Sequence, residues 1–309
     1  MRLRVVYLTV LTILAMAAYP AARLCAETEQ TQQIQQAQRI QQIQPSAPLT
    51  SPEERAELHA GPDWQQLAPH LPDPDTGSAA ALETAGDVLA ARRFPEDALD
   101  YYGYAMARGG NVSDLLNKMG VVRLELRQNE LAREMFQRTV RVQKKDAAAW
   151  NNLGVTEFIA KEYVKAIDDY KRAMRLDSRS AVYHSNLGMA YFELKDLESA
   201  RDQFAAATRL DPEIMQARPG GGISAHVLST QNYSQLCFEI AKVYAREHRA
   251  APMRLWLAKA SEGGFDVRGN MRSDTVLAPY LKDPEVKLLL ANAASLHTRA
   301  VATTVQPNL

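Results

Sequence analysis

Small, aromatic and polar residues recur along the middle of this chain at fixed intervals. A glycine is followed twelve residues later by an alanine, four further on by an aromatic, and three beyond that by another small residue. The glycines are Gly86, Gly120, Gly154 and Gly188; the alanines are Ala98, Ala132, Ala166 and Ala200. The aromatics are Tyr102, Phe136, Tyr170 and Phe204, and the last set is Ala105, Thr139, Ala173 and Ala207. Each set advances by 34 residues per step. Within a step the apolar spacings of three, four and seven place these residues on one face of a helix, so each period predicts two helices joined by a short polar turn.

The physical sense of the pattern follows from helix packing. Glycine in the first helix and alanine in the second let two helix axes approach to roughly 8–10 Å. The aromatic and the later small residue continue the same face of the second helix and pack on the next hairpin. One hairpin cannot bury that face alone, so stability comes from stacking several.

The segment from Asp146 to Arg179, with Trp150, Leu153, Gly154, Ala166, Tyr170 and Ala173, resembles a tetratricopeptide repeat. The segment from Ser180 to Pro212 resembles it more closely still, through Leu187, Gly188, Tyr191, Ala200, Phe204, Ala207 and Pro212. Two earlier copies are weaker: Ala85 precedes Gly86 where the family has Leu, and Arg123 stands where it has Tyr. The resemblance covers about Ala79 to Ile214. It implies an all-α fold, a right-handed α-solenoid of helix-turn-helix hairpins, and a protein that binds a protein or peptide partner and does no chemistry itself. Carried over residue by residue, the family's ligand-facing positions on the inner wall are Asn117, Val121, Leu124 and Glu125; then Asn151, Val155, Phe158 and Ile159; then Ser185, Met189, Phe192 and Glu193. The centre of this set is apolar. Two readings stand side by side: these residues pack on neighbouring helices, or they line a groove for an apolar or amphipathic segment. Asn152 and Asn186 sit where asparagine is common across the family.

The flanks are organised differently. Arg2 and Arg4 precede an apolar run from Val5 to Tyr19, too short for an ordinary spanning helix, with Ala26 as the expected cleavage point. Residues 1–26 are therefore expected to be an export signal, directing the chain to the periplasm or cell envelope. The alternatives are an uncleaved membrane anchor and lipidation at Cys25. Residues 27–78 form a Gln/Pro-rich linker; nine glutamines fall between Gln30 and Gln44, followed by Ser51-Pro52-Glu53-Glu54, an N-cap, a first-turn proline and first-turn acids, starting a brief helix to about His59. Pro69, Pro72 and Pro74 predict an extended linker.

Four hairpins span 79–214. Asp211-Pro212 ends the fourth, because proline disfavours a helical residue before it. By register about nineteen extra residues then intervene, a Gly-rich insertion over 215–232 containing Pro219-Gly220-Gly221-Gly222. Two internal segments are candidates to cover the inner wall: the short helix near Pro52 to His59 with the proline-rich run after it, and, in preference, Gly220 to Gln231, folding back with Ile223, Val227 and Leu228 as a plug. A fifth, divergent hairpin and a closing segment occupy 233–291. Cys237, Ile240, Ala241 and Tyr244 match the first-helix pattern, and Met253, Leu257 and Ala260 the second, with Gly263-Gly264 as the cap. Residues 292–309 are a tail.

Composition narrows the functional classes. The 309 residues carry 36 Lys plus Arg against 36 Asp plus Glu, so no net field draws nucleic acid or an anionic membrane. Of two cysteines, cleavage after Ala26 leaves Cys237 alone, with a buried apolar role expected. Six scattered histidines show no metal-ligand spacing; His184 takes the slot of Trp150 one repeat later and is expected to pack or hydrogen-bond. The Pro-Gly-Gly-Gly run lacks the Gly-Lys-Ser/Thr ending of a phosphate loop. Asp168-Asp169 are expected on an exposed helix face. No catalytic residue, cofactor or metal is expected. The function expected is a non-catalytic binding scaffold or adaptor, the alternatives being a self-associating envelope assembly factor and an accessory subunit of an envelope enzyme complex.

Overall fold

The computed structural model describes residues 51–215 and 233–292, and every element in them is helical. The export signal, the Gln-rich stretch, nearly all of the Gly-rich insertion with its candidate plug, and the tail from 293 onward lie outside the described residues. The chain divides into two compact units, one ending at Val122 and one beginning at Arg123.

In the first unit, helix α1 (Pro52–Ala60) begins as its sequence dictates. Ser51 Oγ accepts from the Glu54 amide, and the Glu54 carboxylate accepts from the Ser51 amide, a complete capping box with Pro52 in the first turn. A second short helix, α2 (Pro62–Leu67), and a 3₁₀ turn (Ala68–His70) follow where an extended linker was expected. Pro62 occupies the first turn of α2, a position that needs no amide hydrogen, so the proline starts a helix there instead of preventing one. Trp64 of α2 stacks on His59 at 3.6 Å and meets the ring of Phe94 edge-on at 5.1 Å. Helices α3 (Ala79–Ala91) and α4 (Pro95–Ala107) form the first hairpin. α1 is held on it by Asp97, a buried carboxylate of α4 that takes Arg55 and His59 together. The proline-rich run is laid on α4 as well: Tyr101 donates to the Pro72 carbonyl at 3.2 Å and Arg108 to that of Pro74 at 3.3 Å. Helix α5 (Val112–Glu125) begins in this unit, where Lys118 bridges Glu83 and Asp87 of α3 at 2.7 Å each.

The second unit contains α6 (Asn129–Val142), then the hairpins α7 (Ala147–Ile159) with α8 (Tyr163–Leu176) and α9 (Ala181–Glu193) with α10 (Leu197–Leu210). A further hairpin, α11 (Tyr233–Arg246) with α12 (Ala250–Glu262), is followed by α13 (Val267–Ser273), a 3₁₀ turn (Ala278–Lys282) and helical residues 284–292. The positions singled out in the fifth hairpin, Cys237, Ile240, Ala241, Tyr244, Met253, Leu257 and Ala260, are all buried. Val267, Met271, Leu277, Val286 and Leu290 of the closing segment join the same core.

Every member of the four periodic sets is buried. Gly86, Gly154 and Gly188 meet the aromatic of their own hairpin. A Cβ on Gly154 would lie 2.7 Å from a ring carbon of Tyr170, one on Gly188 2.6 Å from Phe204, and one on Gly86 2.5 Å from Tyr102. A second 34-residue ruler appears in the turns. Arg93, Arg127, Lys161 and Lys195 each adopt a left-handed conformation, with φ of 65°, 58°, 62° and 65°. The next amide bonds back to the carbonyl five residues earlier, as from Glu162 to Glu157 at 2.8 Å and from Asp196 to Tyr191 at 3.0 Å, closing the first helix of each hairpin. His248, φ 55°, repeats this turn between α11 and α12. It lies one period plus nineteen residues after Lys195, matching the length of the insertion inferred from register.

Candidate partner-binding surfaces

Helices α7 and α9 are the interior of the second unit. From Asn151 to Phe158 every residue is buried, and from Ser185 to Ala190 likewise. A helix covered on every side belongs inside, and α7 has that character from Asn151 to Phe158, its polar Asn151, Asn152, Thr156 and Glu157 included. The expected inner-wall positions fall accordingly. Asn151, Val155 and Phe158 of α7 and Ser185, Met189 and Phe192 of α9 are core side chains, with Val155, Phe158, Met189 and Phe192 in one apolar cluster with Leu236, Phe238 and Ile240 of α11. Ile159 and Leu124 are half-buried against that cluster. Asn117 and Val121 lie half-buried in the first unit; Glu125 is exposed and Glu193 half-buried.

The asparagines form a ladder that sequence reasoning did not assign. Asn186 of α9 donates to Asn151 Oδ1 of α7 at 2.8 Å, and Asn151 donates to Asn152 Oδ1 at 3.2 Å. Buried amides left unpaired are expensive, so this ladder fixes the register of one hairpin on the next. His184 bonds Gln203 at 2.9 Å and the Ser178 carbonyl at 3.3 Å. Cys237 is fully buried, and that burial pushes its thiol up to about 11, so it is an apolar filler and not a nucleophile.

On another face of the same hairpins, α6, α7 and α8 enclose a cleft of about 660 Å³. Trp150 and Leu153 of α7 and Val140 of α6 give it apolar walls; Gln137, Arg141 and Lys144 stand on one side and Lys165, Asp168 and Arg172 on the other. Arg172 lies over the Trp150 ring at 4.7 Å, and the indole donates to the Lys144 carbonyl at 2.9 Å. Glu157 and Asp169 complete the lining, each only 6% exposed. This corrects the expectation that Asp168-Asp169 form a solvated pair. Asp168 is exposed, but Asp169, one residue on, faces α7 and is buried against Glu157.

The carboxyl pair is electrostatically unusual. Burial first, and then the charge of Asp169, push the Glu157 carboxyl up to about 7 from an ordinary 4.5, against the pull of Arg133 on α6 at 3.7 Å; Glu162 adds to the rise. Asp169 is raised by burial too, although Arg172 at 3.0 Å opposes it. The pair therefore shares a proton near neutral pH. In the unfolded chain Glu157 ionises near 4.5, so between about pH 4.5 and 7 the folded state holds a proton that the unfolded state lacks. Stability accordingly falls as pH rises through that window and levels off above it. Urea denaturation should give a second unit more stable at pH 5 than at pH 8, by on the order of 1–3 kcal/mol, and Glu157→Gln should flatten the difference.

The residue that opens the cleft is visible by comparing repeats. Advancing 34 residues from Glu157 reaches Tyr191, whose ring lies half-buried with Lys171 over it at 5.5 Å. Moving back 34 residues from Lys171 reaches Gln137, on the cleft wall. In the fourth repeat a phenol fills this place; in the third a shorter carboxylic acid turns into the interior and leaves the space.

Two family models match the chain, both described as tetratricopeptide repeat, over residues 117–181 and 181–214. They fall on the hairpins whose crossings and turns repeat every 34 residues. Residues 117–214 are tetratricopeptide repeats. Among solved structures the repeats are similar to PilF of Pseudomonas aeruginosa, at 20% identity over 72% of this chain and 91% of that one, with a TM-score of 0.48. They are also similar to MamA of Desulfovibrio magneticus RS-1, at 18% identity over 66% and 99% of the two chains, TM-score 0.44. A third is YrrB, a TPR protein with an unusual peptide-binding site, at 18% identity over 72% and 98%, TM-score 0.41. The family assignment rests on the matched repeats and not on these structures. No curated protein matches the sequence. Among the described residues, no group of three or more acidic, His or Cys side chains is placed to hold a metal ion, and no helix is long and apolar enough to cross a membrane.

Proposed function

We propose that this protein is a non-catalytic scaffold that holds a protein partner in the periplasm or cell envelope. The observation that carries the binding role is the stack of 34-residue hairpins itself. The side-chain volume that repeats every 34 residues goes into helix crossings, and positions that differ between repeats, such as Glu157 against Tyr191, shape surface recesses between helices. The composition of residues 1–26, two arginines followed by a short apolar run and Ala26, supports export with a mature chain beginning at Glu27. A photo-crosslinking residue placed at exposed Lys144 in the native host tests both parts. A discrete protein adduct is expected in the envelope fraction, on a chain whose N-terminal sequence begins at Glu27. Recovery of the chain in the cytoplasm with Met1 to Ala26 retained would overturn the export; absence of an adduct from Lys144 and from a panel of other exposed positions would overturn the scaffold.

A further inference from the structure

The floor of the third repeat's cleft is the nearly buried carboxyl pair of Glu157 and Asp169. Glu157 is 6% exposed, and no donor reaches its Oε2. Its immediate neighbour is another carboxyl, that of Asp169. The hydroxyl of Tyr170, fully buried and electrostatically close to both, also lacks a partner. Both carboxyls line the cleft, so a ligand that brings a donor to their exposed edge gains a hydrogen bond there. The walls set the body of the ligand: Trp150, Leu153 and Val140 suit a flat apolar group. The rim sets its charge. Arg141, Lys144, Lys165 and Arg172 surround the mouth against one exposed acid, Asp168, and Arg133 stands behind Glu157. An ammonium or guanidinium would meet four rim cations on its way to the floor and a fifth, Arg133, behind it. A neutral ring with a hydroxyl at its tip meets none of that opposition, and acidic residues beside it would complement the rim.

We propose that the cleft between α6, α7 and α8 is a binding site for a tyrosine side chain presented by an acidic segment of a partner protein, its phenol hydroxyl hydrogen-bonding the Glu157–Asp169 carboxyl pair. The protein already shows what fits: in the fourth repeat its own Tyr191 occupies the equivalent place. In the third repeat the place is vacated by Glu157 and left for a phenol from outside. The proposal names the partner chemistry of the scaffold and rests on that reading.

The test is a titration of the isotopically labelled full chain, followed by nuclear magnetic resonance at the Trp150 indole N–H, with three blocked tripeptides: Glu-Tyr-Glu, Glu-Phe-Glu and Lys-Tyr-Lys. The Glu-Tyr-Glu peptide is expected to shift the Trp150 signal and to bind at least fivefold tighter than either other peptide. Two variants plug the cleft from opposite walls: Glu157→Tyr, which restores the fourth-repeat residue, and Gln137→Trp, which leaves the carboxyl pair intact. Each variant that keeps its helical circular dichroism should weaken binding at least tenfold. Equal binding of the phenylalanine peptide, tighter binding of the basic peptide, undiminished binding by the plugged variants, or no shift at Trp150 would each overturn the site. A shift confined to other residues would sink the cleft while leaving the scaffold reading standing.

Discussion

Gly154→Leu is expected to destabilise the second unit by about 3 kcal/mol, with Gly188→Leu close behind. Even a Cβ at position 154 would sit 2.7 Å from one ring carbon of Tyr170, 2.8 Å from another and 3.2 Å from the Ala166 carbonyl. None of these can yield cheaply. Tyr170 and Ala166 are fully buried, and the carbonyl belongs to the backbone of α8. Position 188 repeats the arrangement against Phe204, at 2.6 Å and 2.7 Å. The matched control is Lys161→Ala, on an exposed turn seven residues from Gly154, where the loss should stay within about 0.5 kcal/mol. Midpoints of urea denaturation for the three variants measure this directly.

The second large effect concerns how the fourth repeat is joined to the divergent fifth hairpin. Arg201 of α10 meets Glu239 of α11 at 2.6 Å, with side chains 13% and 6% exposed. Lys242 lies 3.5 Å from the same carboxylate and 2.7 Å from Asp274, which leads into the closing turn. Four charges thus tie α10, α11 and the closing segment. Arg201→Met leaves the buried Glu239 with only the more distant Lys242, and the expected loss is about 3 kcal/mol. Replacing both partners, Arg201→Met with Glu239→Leu, should recover most of it, because an apolar pair of similar volume pays no desolvation penalty. Denaturation of the two variants decides between a pair that matters for its burial and one that is incidental: a double variant no better than Arg201→Met alone would refute this account.

Much of this architecture was legible in the residues. The glycine, alanine and aromatic sets obey one period because each helix crossing imposes the same limit on volume, and a volume limit leaves its mark at every repeat. The Ser51–Glu54 cap, the fifth hairpin's inward positions and the nineteen-residue offset were legible for the same reason: each depends on local spacing alone. What escaped was set by neighbours. Asp169 looks identical to Asp168 in sequence, yet only one of them faces α7. Asn151 read as an inner-wall position and Asn186 as an asparagine common to the family, yet their side chains meet across two hairpins at 2.8 Å. α2 was hidden because the run after His59 was read as a linker from Pro69, Pro72 and Pro74, whereas Pro62 starts a helix in a first turn that needs no amide hydrogen. The cleft could have been found earlier: comparing Glu157 with Tyr191 at 34 residues' distance shows a large side chain replaced by a smaller one at a packing position. The inner-wall positions on α7 and α9 are buried in one cluster with α11, which the inner-wall pattern does not contain.

The claim on which everything else stands is that residues 34 apart are structurally equivalent and that Gly86, Gly154 and Gly188 each abut the aromatic sixteen residues later in their own hairpin. A double-mutant cycle of Gly154→Leu with Tyr170→Ala tests it most directly. The account predicts strong favourable coupling: the leucine side chain occupies the space the ring leaves, so the double variant denatures at a higher urea concentration than Gly154→Leu alone. A double variant whose loss equals the sum of the two single losses would show that the residues do not touch, and would contradict the register itself.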